Sequence, residues 1–273
     1  MSQPLTDPEA HLQVQHLDGH LCVITLNRPD ARNAYSQQMV DLLLDSLAKA
    51  EANDDVRCVI ITGAGRAFSA GGDLKLMQQQ AGMFAGHSVA LAQNYRRTIQ
   101  RIPKALEDFG KPLIAAVNGA AIGAGLDLAC MCDIRVASSK ARFGETFVKV
   151  GLVPGDGGAY ILARVVGFAH AIELSLTGDV INAERAAQIG LVNHVTEPDM
   201  VLDKAIQIGR RIAANAPLAV QLTRRAIHLA HRQTLQQALE TAAAFQGMVQ
   251  KTQDHQEGVS AILEKRAPEF KNA

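Results

Sequence analysis

NGAAIGAGLDLACMCDIRVAS, residues 118–138, is crowded with glycine and alanine and carries one acid, Asp127, in the middle of an apolar run. It follows a β-branched stretch, PLIAAVNG (112–119), and ends in another, DIRVAS (133–138), so it reads as strand, glycine-rich turn, short helix and strand. The alternation extends toward the N-terminus. LCVITLN (21–27) and RCVIITG (57–63) read as strands, residues 36–53 as a helix, and residues 90–108 as one long helical region. Strands alternating with helices define an α/β fold. From about Asp199 the chain reads as helix alone, in segments such as DKAIQIGRRIAANA and LTRRAIHLAHRQTLQQALETAAAFQ. That places a boundary near residue 200, between an α/β core (1–200) and a helical C-terminal region (201–273).

The bulk composition narrows the partners. The chain's 27 basic and 27 acidic residues cancel, and no run of Lys or Arg is interleaved with aromatics, which argues against nucleic acid and for a small ligand of modest charge. Cys22, Cys58, Cys130 and Cys132 are too few and too oddly spaced for a disulfide framework, and they fit buried positions in a reducing compartment. MSQPLTDPEAHLQV, at the N-terminus, has no basic segment followed by an apolar one. The longest apolar window, 115–132, is interrupted by Asn118 and Asp127 and is rich in glycine, unlike a membrane span. The expectation is a cytoplasmic protein without a membrane partner.

Two glycine-rich turns each follow an apolar strand, in CVIITGAGRAFSAGGDL (58–74) and LIAAVNGAAIGAGLDL (113–128). A strand that runs through such a turn into a helix leaves backbone N–H groups pointing outward, reinforced by the helix dipole, and so forms an anion receptor. If the anion is transient, as when a carbonyl becomes an enolate, the receptor is an oxyanion hole. Small residues let the carbonyl approach the backbone.

A dinucleotide fold would need a third glycine, but Phe68 and Leu128 occupy those positions, although Glu145 lies 20 residues past Gly125. No Gly-Lys-Ser/Thr is present, which excludes a P-loop, and Ser69 in Phe-Ser-Ala-Gly-Gly is not a nucleophile elbow. His16 with His20, and His228 with His231, have spacings that could put each pair on one helix face, but neither pair has a third ligand, so no metal is expected.

The acids are the remaining candidates for chemistry. Asp127, set between Leu126 and Leu128, is either a proton donor whose neutral form burial favours or a first-turn helix stabiliser. Glu145 is expected in a strand. Asp156, in the Pro-Gly-Asp-Gly-Gly turn, reads as the N-cap of the helix that follows.

Together, NRPDARNA (27–34), AFSAGGDL (67–74), the opening stretch, FGETFVKVGLVPGDGG (143–158) and EGVSAILEKRAPEF (257–270) resemble the enoyl-CoA hydratase/isomerase, or crotonase, superfamily in order and spacing over nearly the whole chain. The resemblance implies a spiral of ββα units, a helical C-terminal region that packs between subunits, and assembly as a homotrimer or a dimer of trimers. It implies an acyl-CoA thioester as substrate, with coenzyme A part of the substrate and no separate cofactor. The carbonyl would be held by the N–H groups of Gly72 and Ala124, beside Asp127. By the same resemblance Ala31 and Ala70 would line the coenzyme A groove, and Lys265 would reach a phosphate across a subunit boundary. Asp73 is expected to cap the helix after its turn. MQQQAGMFAGHSVA (77–90) is expected to form a lid over the acyl end.

Two departures decide the chemistry to be expected. Members that hydrate carry glutamates at the positions of Asp127 and Phe147; here the first is the shorter acid and the second is a phenylalanine. Glycine is usual where Ala124 stands, but the N–H survives. If Phe147 faces the site, water activation falls to Glu145, two residues earlier and on the same strand face, or to Asp156. The leading expectation is an enoyl-CoA hydratase-type lyase. A double-bond isomerase of enoyl- or dienoyl-CoA and a non-catalytic acyl-CoA binder are the alternatives.

Overall fold

The structure, a computed structural model, describes residues 10–272. Of the N-terminal stretch read for an export signal, residues 1–9 lie outside the described residues.

Three successive ββα units build the site. Each sends its first strand into a large sheet and its second into a small one. The units are β3 (Cys58–Gly63), β4 (Ala67–Ser69) and helix α2 (Leu74–Gln78); β5 (Leu113–Val117), β6 (Ala120–Ile122) and α5 (Ala124–Met131); and β7 (Ile134–Ser138), β8 (Arg142–Gly144) and α6 (Gly158–Thr177). β3, β5 and β7 pair in parallel in a six-stranded sheet ordered β1-β2-β3-β5-β7-β10, and β4, β6 and β8 pair in parallel in a four-stranded sheet ordered β4-β6-β8-β9. The outer members are β1 (Leu12–Leu17) and β2 (Leu21–Leu26), an antiparallel hairpin, with β9 (Val180–Asn182) and β10 (His194–Thr196). Because every unit repeats the same path, the three strand-to-helix turns stack side by side. This is the crotonase-type spiral.

The large sheet is buried on both faces, as parallel sheets are. Val59 and Ile61 of β3 join the main core with α1 (Gln37–Ala52), whereas Cys58 and Ile60, alternating with them, meet Val201, Ala205 and Ile208 of α8 (Val201–Ala213). Ser36 caps α1 by accepting from the Met39 N–H at 3.1 Å, which fixes where the helix expected over 36–53 begins. The remaining helices are α3 (Ser88–Arg97), α4 (Arg101–Asp108), α7 (Ala183–Gln188), α9 (Pro217–Ala230), α10 (Leu235–Val249) and α11 (Gln253–Glu264).

Three expectations are corrected. The helical region over 90–108 is two helices, α3 and α4, because Thr98 leaves helical geometry (φ −120°, ψ −98°). His16 lies in β1 and His20 in the hairpin turn after it, so they share no helix face. Strand β8 ends at Gly144, and Glu145 starts a 3-10 turn over Thr146–Val150, so Glu145 and Phe147 are not strand neighbours. Helix α6 has the length and apolar composition of a membrane span, but Gly167 (φ 78°, ψ 161°) breaks it in the middle.

Candidate active site

The first two turns are locked together by backbone contact. A Cβ on Gly71 (φ +74°) would stand 2.6 Å from the Ile122 carbonyl oxygen and 2.8 Å from the Ala124 nitrogen, so only glycine fits there. Part of the glycine in these turns therefore serves turn-to-turn packing. Tyr35 ties the turns a second time: its N–H donates to the Gly71 carbonyl at 2.7 Å, and its buried hydroxyl donates to the Ala124 carbonyl at 3.1 Å.

Asn33, fully buried, donates through its amide to the carbonyls of Ala64 (2.9 Å) and Ala67 (2.8 Å) and accepts the Arg28 N–H (2.8 Å). Ser69 donates its hydroxyl to the Asn33 carbonyl (2.8 Å) and accepts from the Gly71 N–H (3.1 Å). Sequence reasoning singled out neither Tyr35 nor Asn33 as a positioning residue; the available signal was their adjacency in and after NRPDARNA.

Gly72 and Ala124 are thereby held on neighbouring turns. Ala124 opens α5, and no side chain caps that helix, so its first N–H groups have no side-chain acceptor. Ala31 and Ala70 belong to adjacent segments, joined by the Ala70 N–H donating to the Arg32 carbonyl at 2.9 Å. Asp73 caps α2 as expected, accepting from the N–H groups of Lys75 and Leu76, and pairs with Arg28 at 3.4 Å. Lys265 is exposed at the end of α11.

The third turn completes a cluster of acids. Asp127, Glu145 and Asp156 are all buried, and no protein N–H or O–H donor reaches either oxygen of Asp127, either oxygen of Glu145, or Oδ1 of Asp156. They are left to one another. Burial pushes the Asp127 carboxyl well above the usual range, and the negative charges of Asp156 and Glu145 push it further. Glu145 is raised to about 8 by burial and then by Asp156, and Asp156 is raised by burial. Hydrogen bonding with Asp127 offsets part of the rise at Glu145 and at Asp156.

Asp127 also lies at the start of α6. A Cβ on Gly158 would stand 2.3 Å from Asp127 Oδ1, so a side chain there would displace the carboxyl. The expectation that Asp156 caps α6 is not met, since Gly157 holds the N-cap position and no side chain caps the helix.

Phe147 lies against the turn that opens α5: its ring atoms are 3.6–3.8 Å from where a Cβ on Gly123 would stand. The arrangement sets the start of α5 at Ala124 beside a buried carboxyl whose neutral form burial favours and two further acids, a combination suited to moving protons at carbons next to a carbonyl. Among the described residues no three His, Cys, Asp or Glu side chains are arranged to hold a metal ion.

The fold and this convergence define the class, and comparison with known proteins agrees. The chain belongs to the enoyl-CoA hydratase/isomerase family, whose sequence profile matches residues 17–273, and it is an enzyme of the crotonase superfamily, which acts on acyl-CoA thioesters. It is 40% identical to the crotonyl-CoA hydratase of Syntrophomonas wolfei (92% of this chain, 94% of that one). It is 38% identical to the 2,3-dehydroadipyl-CoA hydratase of Escherichia coli K12 (91% and 94%), and 35% identical to the 1,2-epoxyphenylacetyl-CoA isomerase of the same organism (94% and 97%). The crystal structure of an enoyl-CoA hydratase from Bacillus anthracis superposes with a TM-score of 0.91 at 33% identity, covering 96% of this chain and all of that one.

Proposed function

We propose that the protein is an enoyl-CoA hydratase, adding water across the 2,3 double bond of an acyl-CoA thioester. The observation that carries this reading is the convergence of Asp127, Glu145 and Asp156, buried together next to the turn that presents Ala124. Glu145 or Asp156, ionised, takes a proton from water. The water oxygen bonds to C3, and the π electrons move onto the thioester oxygen, where the N–H groups of Gly72 and Ala124 stabilise the enolate. Asp127 then delivers its proton to C2 and the carbonyl re-forms. The acid that took the water proton returns one to Asp127 and resets the site. Ala31 and Ala70 line the coenzyme A groove.

The subunit assembles as a trimer or a dimer of trimers, in which Lys265 reaches the neighbour's coenzyme A phosphate. Exposed apolar side chains on the C-terminal helices, among them Leu235, Leu239, Ile262 and Leu263, support a subunit contact there.

Double-bond isomerisation is the second reading. Phe147 against Gly123 favours it, because an apolar ring narrows the room for a water and isomerisation needs only a proton carrier.

Purified protein mixed with a medium-chain trans-2-enoyl-CoA is expected to remove the conjugated thioester absorbance. In Asp127→Asn the rate falls about 10²- to 10⁴-fold, the usual worth of a general acid. No loss of absorbance with the trans-2 substrate, together with its appearance from the trans-3 isomer, would replace hydration by isomerisation.

A further inference from the structure

Aromatic side chains are scarce in this chain, with eight phenylalanines, three tyrosines and no tryptophan in 273 residues. Three of them stand against glycines of the three turns that form the site. Phe84 Cζ lies 3.9 Å from where a Cβ on Gly72 would stand, three ring atoms of Phe147 lie 3.6–3.8 Å from that point on Gly123, and Tyr95 Cε1 lies 2.9 Å from it on Gly155, the residue before Asp156. Phe84 and Tyr95 also pack edge to face, with centroids 6.5 Å apart at 66°. Phe84 and Tyr95 therefore form a ring pair from the turn of Gly72 to the turn of Asp156, and Phe147 adds a ring at the turn of Gly123 between those two in the chain.

The burial of these rings differs from that of the core. Phe68 and Phe143 are sealed, whereas Phe84, Tyr95 and Phe147 are each only half-buried. Each keeps ring surface for something else to cover. Met77 joins these rings, its Cε 2.3 Å from the Cβ position of Gly72, and its thioether suits a ring edge and can swing aside.

We propose that the acyl group handled at this site carries an aromatic ring close to the thioester, as in an arylalkenoyl-CoA, and that Phe84, Tyr95 and Phe147 select it. This rests on the acyl-CoA reading above. A flat ring meets these rings in offset or edge-to-face contacts, which a short alkyl group cannot make. A long alkyl tail would need other space, and a cavity of about 540 Å³ lies between α4, α5, α6 and α9, where Pro103 and Ile161, two of its lining residues, pack against Gly157.

Binding of saturated, unreactive thioesters tests the proposal without depending on turnover. Titration calorimetry would compare 3-phenylpropanoyl-CoA, butanoyl-CoA and decanoyl-CoA on the intact protein and on Phe84→Leu, which keeps apolar volume but removes a ring. The expected result is phenylpropanoyl-CoA bound about tenfold or more tightly than butanoyl-CoA and at least as tightly as decanoyl-CoA, the worth of one to two ring contacts. In Phe84→Leu the phenylpropanoyl-to-butanoyl ratio falls toward one. Butanoyl-CoA binding equally well, or decanoyl-CoA binding best, overturns the aryl proposal and leaves the acyl-CoA reading standing. Binding of none of the three overturns that reading and the proposal with it.

Discussion

Three buried carboxyl groups packed together, with no donor on either oxygen of Asp127 or Glu145, resist full ionisation, so the cluster of Asp127, Glu145 and Asp156 holds protons more tightly than isolated acids would. Glu145 makes the consequence measurable. Its ordinary pKa of 4.5 is raised to about 8 in the fold, first by burial and then by Asp156. Between those values the unfolded chain has released a proton that the folded chain retains, so folding weakens as pH rises through the window and levels off above about 8. Glu145→Gln removes the titration and keeps the shape. Its thermal midpoint should lie above the parent's at about pH 9, with the excess shrinking toward pH 4.5, where the parent's Glu145 is protonated in the fold and only half ionised in the unfolded chain. An excess equal at both ends would contradict a buried, proton-retaining Glu145.

At the scale of elements, the site depends on two strand-to-helix turns touching at Gly71. Alanine at position 71 would have to accept a left-handed φ of +74° and a Cβ 2.6–2.8 Å from backbone atoms of the neighbouring turn. Backbone strain and overpacking together should cost about 2–4 kcal/mol, read as a fall in the urea midpoint at unchanged slope. A Gly71→Ala variant as stable as the parent would mean the turns can separate freely.

Much of this architecture was legible beforehand. β2, β3, β5 and β7 sit where β-branched runs stand between glycine-rich punctuation, and the resemblance gave the order of the units. The local path after β8 was less legible, because Glu145-Thr146-Phe147-Val148 is rich in strand-forming residues and a 3-10 turn has no periodicity to announce it. Asp156 read as a cap because an acid before a helix usually is one. Its burial beside Asp127 comes from the packing of α5 against α6, contacts that no local pattern encodes. Tyr35 went unnoticed for the same reason, since its hydroxyl meets the carbonyl of Ala124, 89 positions away.

On the scale of the whole molecule, the repeated ββα path puts three turns in register. Two would supply backbone donors and the third brings the extra acids, while the helices after β10 leave apolar side chains such as Ile262 and Leu263 exposed at the C-terminal end. The central claim is that this register adds water, with oxygen going to C3 and hydrogen to C2 of one thioester. Isotope tracing tests it most directly. The protein is incubated with a trans-2-enoyl-CoA in deuterated water enriched in oxygen-18, and the product is weighed by mass spectrometry. The account predicts a 3-hydroxyacyl-CoA carrying one oxygen-18 at C3 and one deuterium at C2, both lost in Asp127→Asn on the same timescale. Deuterium on carbon with no oxygen-18 incorporated would contradict hydration and identify a proton-shuttling isomerase.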